Sequence, residues 1–170
     1  MSAIVVYYSR TGQNYRNGSI VELKKGNTER VAEYIAQATG AELFQIETVE
    51  PYPVDYMECT EVARREQDED ARPELKSYDA DLDAYDTIFV GYPSWWGSCP
   101  MCVFSLLERF DLSGKTIAPF CTNEGSGMGA SERDLKAVCP GATVVRGLSV
   151  FGSDVGDAED EAASWARQFV

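Results

Sequence analysis

Short apolar runs alternate along the chain with segments in which apolar residues recur every three or four positions. The runs are rich in valine, isoleucine and aromatic residues, a composition typical of buried strands in a parallel sheet. The segments between them have the period of amphipathic helices. The apolar runs predict five strands, at Ala3–Ser9, Ala41–Glu47, Tyr85–Tyr92, Thr116–Cys121 and Thr143–Val150.

The helical period predicts five helices between and after these strands. We expect an α/β fold, in which a five-stranded parallel sheet of order 2-1-3-4-5 has helices on both faces and forms a three-layer sandwich. Ligands of such sheets bind where the chain connections reverse, which here is the crevice between the first and third strands. The predicted helices are Thr28–Thr39, Asp55–Gln67, Pro100–Arg109, Ser131–Val138 and Ala158–Phe169.

A loop of small and hydroxyl-bearing residues follows the first predicted strand and is completed at the start of the first helix. Unpaired backbone N–H groups, hydroxyls and the positive end of a helix dipole bind a phosphate together, without a lysine. The loop lacks the motifs of nucleoside triphosphate and dinucleotide sites, so we expect a monophosphate. The predicted phosphate ligands are Ser9, Arg10, Thr11, Gly12, Asn27 and Thr28.

Two further loops follow the third and fourth predicted strands. Adjacent tryptophans flanked by proline, serine and glycine indicate a flat aromatic ligand, because neighbouring tryptophans are difficult to bury together. The glycine-rich loop after the fourth strand lets backbone groups approach a ring edge closely. The predicted ring-binding residues are Pro93, Ser94, Trp95, Trp96 and Gly97 in one loop, and Thr122, Asn123, Glu124, Gly125 and Gly127 in the other.

With residues 13–26 set aside, the first strand, the S-R-T-G-N-T loop and the first helix resemble the start of the flavodoxin family. The two later loops match that family in chain order, and the similarity extends over essentially the whole chain. It resembles in particular a subgroup with an elongated phosphate loop and a double tryptophan. The resemblance implies a flavodoxin-like fold and FMN as cofactor, with one-electron transfer through the flavin. By its position before Gly97, Trp96 resembles the ring-contacting tryptophan of the family more than Trp95 does.

Length, composition and charge narrow the class of protein. The chain has 170 residues, of which 44% are hydrophobic, enough for one domain over residues 1–170 with a sizeable core. Its net charge of −13 disfavours nucleic acid and anionic membranes and favours basic partner surfaces. It has no histidine, the commonest general base and metal ligand, so we expect neither a metal site nor catalytic side chains. Because we see no membrane span and no leader, we expect a cytoplasmic protein.

The cysteines bear on redox chemistry. Five form an odd set without paired metal-binding motifs, which favours a reducing compartment. Cys99 and Cys102 have the C-x-x-C spacing of the thioredoxin dithiol. In the thioredoxin pattern this pair follows the first strand of the fold, whereas here it follows the third predicted strand. We therefore interpret the cysteines as small buried apolar residues.

An insertion interrupts the predicted phosphate loop at Gln13–Gly26. Its Asn17-Gly18 pair lies between two runs that contain apolar residues, which predicts a β-hairpin. Removing the insertion would rejoin Gly12 to Asn27 and restore an uninterrupted loop. We therefore expect that the insertion is dispensable for phosphate binding, and that it shapes partner docking or shields the cofactor.

Three functions are compatible with these features. The resemblance favours a low-potential electron carrier that meets a reductase and an acceptor protein at the flavin edge, since an acidic surround opposes the negative charge of a reduced flavin. An FMN-dependent NAD(P)H:quinone-type oxidoreductase has the same fold but needs room for a nicotinamide over the flavin. A flavin-free module would instead use the acidic surface to bind its partner.

Overall fold

A parallel sheet lies between two layers of helices in the computed structural model, which describes residues 2–170. A separate two-stranded sheet is formed by the insertion. The strands are β1 (Ala3–Tyr7), β2 (Gly12–Arg16), β3 (Ser19–Leu23), β4 (Glu42–Gln45), β5 (Thr87–Pro93), β6 (Thr116–Asn123), β7 (Thr143–Val144) and β8 (Leu148–Phe151). The helices are α1 (Asn27–Thr39), α2 (Tyr56–Asp68), α3 (Met101–Leu107), α4 (Ser131–Val138) and α5 (Glu159–Ala166), with 3-10 turns at Leu82–Ala84, Gly152–Asp157 and Arg167–Phe169.

The order of the main sheet is the predicted one. Its strands run β4-β1-β5-β6, and both β7 and β8 pair with β6 in parallel. In terms of the five predicted strands this is 2-1-3-4-5, so the α/β fold and its topology are confirmed. All five helices are also present; α4 has the predicted ends, and the ends of the others differ from the predicted ones by at most three residues.

The fifth strand differs from the prediction, because it is broken into β7 and β8 rather than continuous over Thr143–Val150. Ile117 of β6 pairs with Val144 and Phe120 pairs with Leu148, so the outer strand carries one extra residue between these pairs. Pro119 lies in this stretch of β6 and has no N–H to donate to the ladder. The result is a bulge, of the kind that often re-aims a strand end near a functional site.

Alternating residues of the central strands build two apolar layers, one on each face of the sheet. Val5 and Phe89 point to the layer that contains α1 and α5, whereas Ile4 and Ile88 point to the layer that contains α3 and α4. Every residue of α3 is buried, so this helix is the centre of its layer. This packing fixes the ends of β1, β5 and β6 against one another.

The insertion is a β-hairpin, as predicted. Gly12–Arg16 pairs antiparallel with Ser19–Leu23 around a two-residue turn. The turn residues Asn17 and Gly18 have φ values of 49° and 82°, and positive values at both positions match the twist of a tight hairpin.

Within residues 2–170, no helix is both long and apolar enough to cross a membrane.

Candidate functional site

A pocket of about 360 Å³ opens at the carboxyl ends of β1, β5 and β6, the crevice predicted from the strand order. It brings together most of the residues that the sequence predicts as ligand-binding. Those that line it are Arg10, Asn27, Thr28, Pro93, Ser94, Trp95, Trp96, Thr122, Asn123 and Glu124. Those outside its lining are Ser9, Thr11, Gly12, Gly97, Gly125 and Gly127.

One end of the pocket is the first turn of α1. Arg30 N–H donates to Gly26 O, which makes Gly26 the cap residue and leaves the N–H groups of Asn27 and Thr28 without partners inside the helix. A Cβ at Gly26 would overlap Ser9 Oγ and would lie 2.7 Å from Arg10 O. Only glycine therefore lets the loop after β1 lie against the helix, and the resulting turn of free N–H groups suits an anion.

Ser9 and Arg10 hold this turn in place in different ways. The Ser9 hydroxyl accepts a 3.1 Å hydrogen bond from Glu29 N–H, so it caps the helix while keeping its own hydrogen to donate. The Arg10 guanidinium donates to Gln13 O at 2.8 Å and to Val54 O at 2.9 Å. These two carbonyls fix a positive charge in the pocket wall.

A buried pair of hydroxyls joins the helix turn to the end of β6. Thr28 Oγ1 and Thr122 Oγ1 lie 2.8 Å apart, and both side chains are buried. In such a pair one hydroxyl donates its hydrogen and the other accepts it, so the accepting hydroxyl keeps its own hydrogen to donate to a ligand.

Thr11 and Gly12 were predicted as phosphate ligands, but they lie outside the pocket lining. Gly12 is the first residue of β2 and pairs with Leu23, so the hairpin ladder takes the chain away from the helix turn at this point. Thr11 is exposed beside it. The insertion is the physical reason for this difference, because without it the loop would continue directly to Asn27.

Trp95 packs beneath the pocket in a cluster of three aromatic rings. Its ring centroid lies 5.2 Å from that of Tyr8 and 4.9 Å from that of Tyr52, both in edge-to-face geometry. The Tyr52 hydroxyl donates to Glu66 at 2.7 Å. Burial raises the pKa of Glu66, and this hydrogen bond opposes the rise. Trp95 is thus a fixed apolar floor of the pocket.

Trp96 lies at the pocket rim, where 51% of it is exposed. Its φ of 53° is uncommon for a residue other than glycine, and together with Gly97 it forms a tight turn closed by hydrogen bonds between Trp95 and Ser98. The indole Nε1 donates to Thr60 O at 2.9 Å, and the Arg64 guanidinium carbon lies 4.9 Å from the ring centroid. These contacts hold Trp96 against α2.

The loop after β6 is organised by Asn123 rather than left free for a ligand. Asn123 Oδ1 accepts hydrogen bonds from the N–H groups of Gly125 and Gly127, at 3.0 and 3.1 Å. Because these two amides are already paired, they are not free to donate to the edge of a ligand ring. Glu124 is the member of this loop whose carboxylate is buried at the pocket.

Several lining residues were not predicted from the sequence. They are Asn14 and Tyr15 of the hairpin, Tyr56, Cys59, Thr60 and Ala63 of α2, and Ser126 and Gly152. The α2 segment is rich in charge, which favours a solvated surface helix. The sequence pattern that could have indicated a role of α2 in the pocket is that Tyr56, Cys59 and Ala63 lie on one helical face. Ordinary packing of a helix on a core produces the same pattern.

The five cysteines are free and buried, as predicted. Burial raises the pKa of Cys121 and of Cys139 to about 12, and it also raises the pKa of Cys59, Cys99 and Cys102. A thiol with a raised pKa is a weak nucleophile, so the Cys99 and Cys102 spacing does not indicate a reactive dithiol. Among the residues that the structure describes, no group of three potential ligands is arranged to hold a metal ion.

Comparison with known proteins gives one family and a set of similar structures. The sequence model of a family described as Flavodoxin matches residues 22–168. A search of curated proteins gave no match.

The similar structures include two from Bacteroides. A protein assigned as a flavoprotein from Bacteroides eggerthii DSM 20697 is 28% identical with a TM-score of 0.72, over 95% of this chain and 98% of the other. One assigned likewise from Bacteroides uniformis ATCC 8492 is 25% identical with a TM-score of 0.76, over 98% and 97%. A flavoprotein from Lactobacillus acidophilus NCFM, solved in complex with FMN, is 21% identical with a TM-score of 0.68, over 92% and 97%. At that identity the last match supports the fold alone.

Proposed function

This chain belongs to the flavodoxin family, and from that premise we propose that it binds FMN and carries single electrons between redox proteins. One observation carries the proposal: a single pocket joins the free N–H groups of the α1 turn to an aromatic floor and rim. An anion site and a flat apolar site in one cavity suit a phosphate ester of an aromatic compound. A related flavoprotein of Lactobacillus acidophilus was solved with FMN.

The residues present fit FMN at both ends. The phosphate would lie at the α1 turn, held by backbone N–H groups near Asn27 and Thr28 and balanced by the Arg10 charge. The ring would lie against Trp95 and Trp96, and Tyr56 of α2 belongs to the same lining. FMN, when bound, supplies the redox chemistry through its ring, and the protein supplies binding, orientation and electrostatics. No side chain is needed as a nucleophile or general base, which agrees with a chain without histidine.

In this proposal the acidic residues lower the reduction potential of the flavin and favour a partner protein with a basic surface. With 28 acidic and 15 basic residues, the chain opposes the added negative charge of a reduced flavin, so its reduction potential should be low. The pocket lining also carries exposed aromatic side chains, Trp96 at 51% and Tyr15 at 44% exposure. A reductase or acceptor with basic residues around an apolar contact would dock here.

Titration with FMN and riboflavin tests the binding proposal. Charge-assisted hydrogen bonds contribute about 1.5–3 kcal/mol each, so riboflavin, which lacks the phosphate, should bind at least about tenfold more weakly than FMN. The measurement is quenching of flavin fluorescence. Equal affinities would contradict a phosphate site at α1.

Thr28→Val should weaken FMN more than riboflavin, because it removes a hydroxyl at the phosphate end and keeps the shape of the side chain. The matched variant is Thr122→Val, which breaks the same Thr28–Thr122 hydrogen bond but leaves the Thr28 hydroxyl in place. If both variants lose FMN equally, the hydroxyl pair acts through the fold and not through the phosphate.

The electron-carrier role is tested against the oxidoreductase alternative by adding NADH or NADPH to the FMN-loaded protein. We expect the flavin absorbance to persist, since the Trp96 indole occupies the rim where a nicotinamide would approach. It should fall only when a flavodoxin reductase is also present. Rapid bleaching by NADH or NADPH alone would instead favour the oxidoreductase.

A further inference from the structure

Four buried polar atoms without hydrogen-bond partners belong to Asn27 and Glu124, which line the pocket, and to Arg16, which follows the lining residue Tyr15 in the hairpin. They are Arg16 Nε, Asn27 Oδ1 and both carboxylate oxygens of Glu124. Leaving such groups unpaired costs free energy, most of all for a charged carboxylate. Native proteins pair nearly all buried polar groups, so this concentration at a ligand pocket indicates that a ligand completes it.

Three elements bring these residues together. Asn27 is in the first turn of α1, Glu124 is in the loop after β6, and Arg16 ends β2 of the hairpin. Gly152 lies between the first two, since a Cβ there would be 2.8 Å from Asn27 Nδ2 and 3.2 Å from Glu124 Oε1. The hairpin tip is tied to the same segment by a 3.2 Å hydrogen bond from Ser153 Oγ to Asn17 Oδ1.

The charge of Arg16 acts on Glu124. Burial raises the pKa of the Glu124 carboxyl, and the nearby Arg16 guanidinium works in the opposite direction. The Ser153 hydroxyl beside Glu124 also lowers its pKa. Arg16 and Glu124 do not form a direct ion pair within 4.0 Å, and by hydrogen-bond geometry Arg16 Nε and both Glu124 oxygens are unpaired among the described residues. The unpaired donor is Arg16 Nε, and the unpaired acceptors are Asn27 Oδ1 and the Glu124 oxygens. A ligand group that both accepts and donates hydrogen bonds would pair with them.

The chemistry of the atoms selects among the parts of FMN. Asn27 Oδ1 and the two Glu124 oxygens require donors, and a phosphate dianion offers none and would be repelled by the carboxylate. The imide edge of the flavin ring has a single N–H. A polyol chain has several hydroxyls, each of which donates to an acceptor and accepts from an arginine N–H. Gly152 neighbours both Asn27 of the α1 turn and Glu124 Oε1, so these acceptors lie beside the α1 turn, where the part of FMN next to its phosphate would be.

We propose that Arg16, Asn27 and Glu124 form a hydroxyl-binding subsite for the polyol chain that joins the phosphate to the ring of the ligand. The inference rests on the proposed binding of FMN and adds that the inserted hairpin, through Arg16, is part of the cofactor site. Glu124 and Arg16 then determine specificity for flavins that carry the hydroxylated chain.

Three flavins separate this subsite from the other two parts of the pocket. FMN has phosphate, polyol and ring; riboflavin has polyol and ring; lumiflavin has the ring alone. Glu124→Gln keeps the size of the side chain and removes its charge. It should weaken FMN and riboflavin by the same factor, on the order of tenfold or more for lost hydrogen bonds to a charged group, and leave lumiflavin within about twofold. Dissociation constants come from flavin fluorescence.

Two further variants complete the experiment. Arg16→Met should give the same pattern as Glu124→Gln, and it keeps the inference testable if one of the variants is poorly folded, which circular dichroism of the apo-protein reports. Asp154→Asn is the matched control, because it removes an exposed negative charge near Glu124 from a residue outside the pocket lining. It should change none of the three affinities.

Other outcomes overturn the inference in distinguishable ways. Equal losses for all three flavins would assign Glu124 to the ring edge. If Glu124→Gln bound FMN more tightly and riboflavin with unchanged affinity, the Glu124 carboxylate would lie at the phosphate. Unchanged affinities would mean that only solvent water serves these atoms. If the unmodified protein binds FMN, each of these results contradicts the subsite but not the proposed FMN binding. If the unmodified protein binds no flavin, both the subsite and the proposed function are wrong.

Discussion

Gly26 occupies a position where even a methyl group would overlap the loop after β1. Its φ of −67° is available to every residue, so space and not backbone conformation requires glycine here. The close approach of loop and helix is what exposes the N–H groups of the α1 turn to the pocket.

Gly26→Ala should therefore damage the anion end of the site. We expect FMN affinity to fall at least about tenfold, or about 1.4 kcal/mol, and riboflavin affinity to fall less. Gly156→Ala is the control, because its added Cβ would meet only Arg30 Nη2 at an ordinary 3.6 Å. Loss of both flavins to the same extent would show that Gly26 shapes the pocket as a whole.

The hydrogen bond between Tyr52 and Glu66 supports the aromatic floor. Tyr52→Phe keeps the ring and leaves a half-buried carboxylate without its donor, which should lower the free energy of unfolding by about 1–3 kcal/mol. Tyr15→Phe is the control, since Tyr15 is exposed and no hydrogen bond of its hydroxyl is found among the described residues. Urea unfolding at neutral pH measures both.

The pH dependence of the Tyr52→Phe effect has a definite sign. Burial raises the pKa of Glu66 above 4.5, and the Tyr52 hydrogen bond holds it lower than burial alone would. The mutation removes a contact that favours the charged carboxylate, so its cost is complete above the folded-state pKa and declines as pH falls through that value. A cost that stays constant into the acid range would show that the contact acts by packing alone.

At the scale of elements, the hairpin is a separate sheet that nevertheless forms part of the pocket wall. Asn14 and Tyr15 line the pocket, and Gln13 Oε1 accepts a 2.8 Å hydrogen bond from Tyr56 N–H at the start of α2. These contacts change the expectation drawn from the sequence, that the insertion is dispensable for cofactor binding.

Deleting residues 13–24, with Gly26 kept as the helix cap, should leave the main sheet folded because the hairpin strands pair only with each other. We expect FMN and riboflavin affinities to fall more than about tenfold, with the ratio between them preserved. Ile20→Thr, on an exposed hairpin residue outside the pocket lining, should change neither. Retention of full affinity by the deletion variant would restore the sequence-based view of the insertion.

The turn that carries Trp96 is fastened to α2 by the indole N–H. Trp96→Phe removes the hydrogen bond to Thr60 O and keeps an aromatic ring, so FMN should dissociate about three- to tenfold faster, as expected for a hydrogen bond with a net contribution of about 0.5–1.5 kcal/mol. Gln67→Ala, which removes a longer 3.3 Å contact to Trp96 O, should have a smaller effect. Stopped-flow dissociation measures both rates, and an unchanged rate for Trp96→Phe would rule out a fastening role.

For the whole molecule, the excess of acidic residues is a source of self-repulsion. A net charge of −13 destabilises the compact state, and salt screens this repulsion over a Debye length of about 8–10 Å. The melting temperature of the apo-protein should therefore rise from low to physiological ionic strength. Potassium chloride and choline chloride should act alike if screening is the cause; a fall with either salt would mean that local ion pairs outweigh the net charge.

The sequence predicted the fold closely because its signals are local. Apolar periodicity gave the strands and helices, and the strict alternation of the two implied the strand order, which the structure confirms. A tight hairpin turn requires positive φ values, which an Asn-Gly pair adopts readily, so Asn17-Gly18 likewise made the hairpin predictable. The break in the fifth strand was missed because its cause, Pro119, lies on a different strand.

By itself, then, the sequence determined the α/β fold, the edge of the sheet at which the pocket opens and the family to which the chain belongs. The tertiary structure decided which side chains form the pocket. The structure shows that the hairpin and α2 form walls of the pocket and that Gly12 lies outside its lining. It also shows that Asn123, which lines the pocket, holds its own loop in place through its Oδ1. The physical reason is that periodicity and turn propensity act between near neighbours in the chain, whereas a buried unpaired atom such as Glu124 Oε1 is defined by residues distant in sequence.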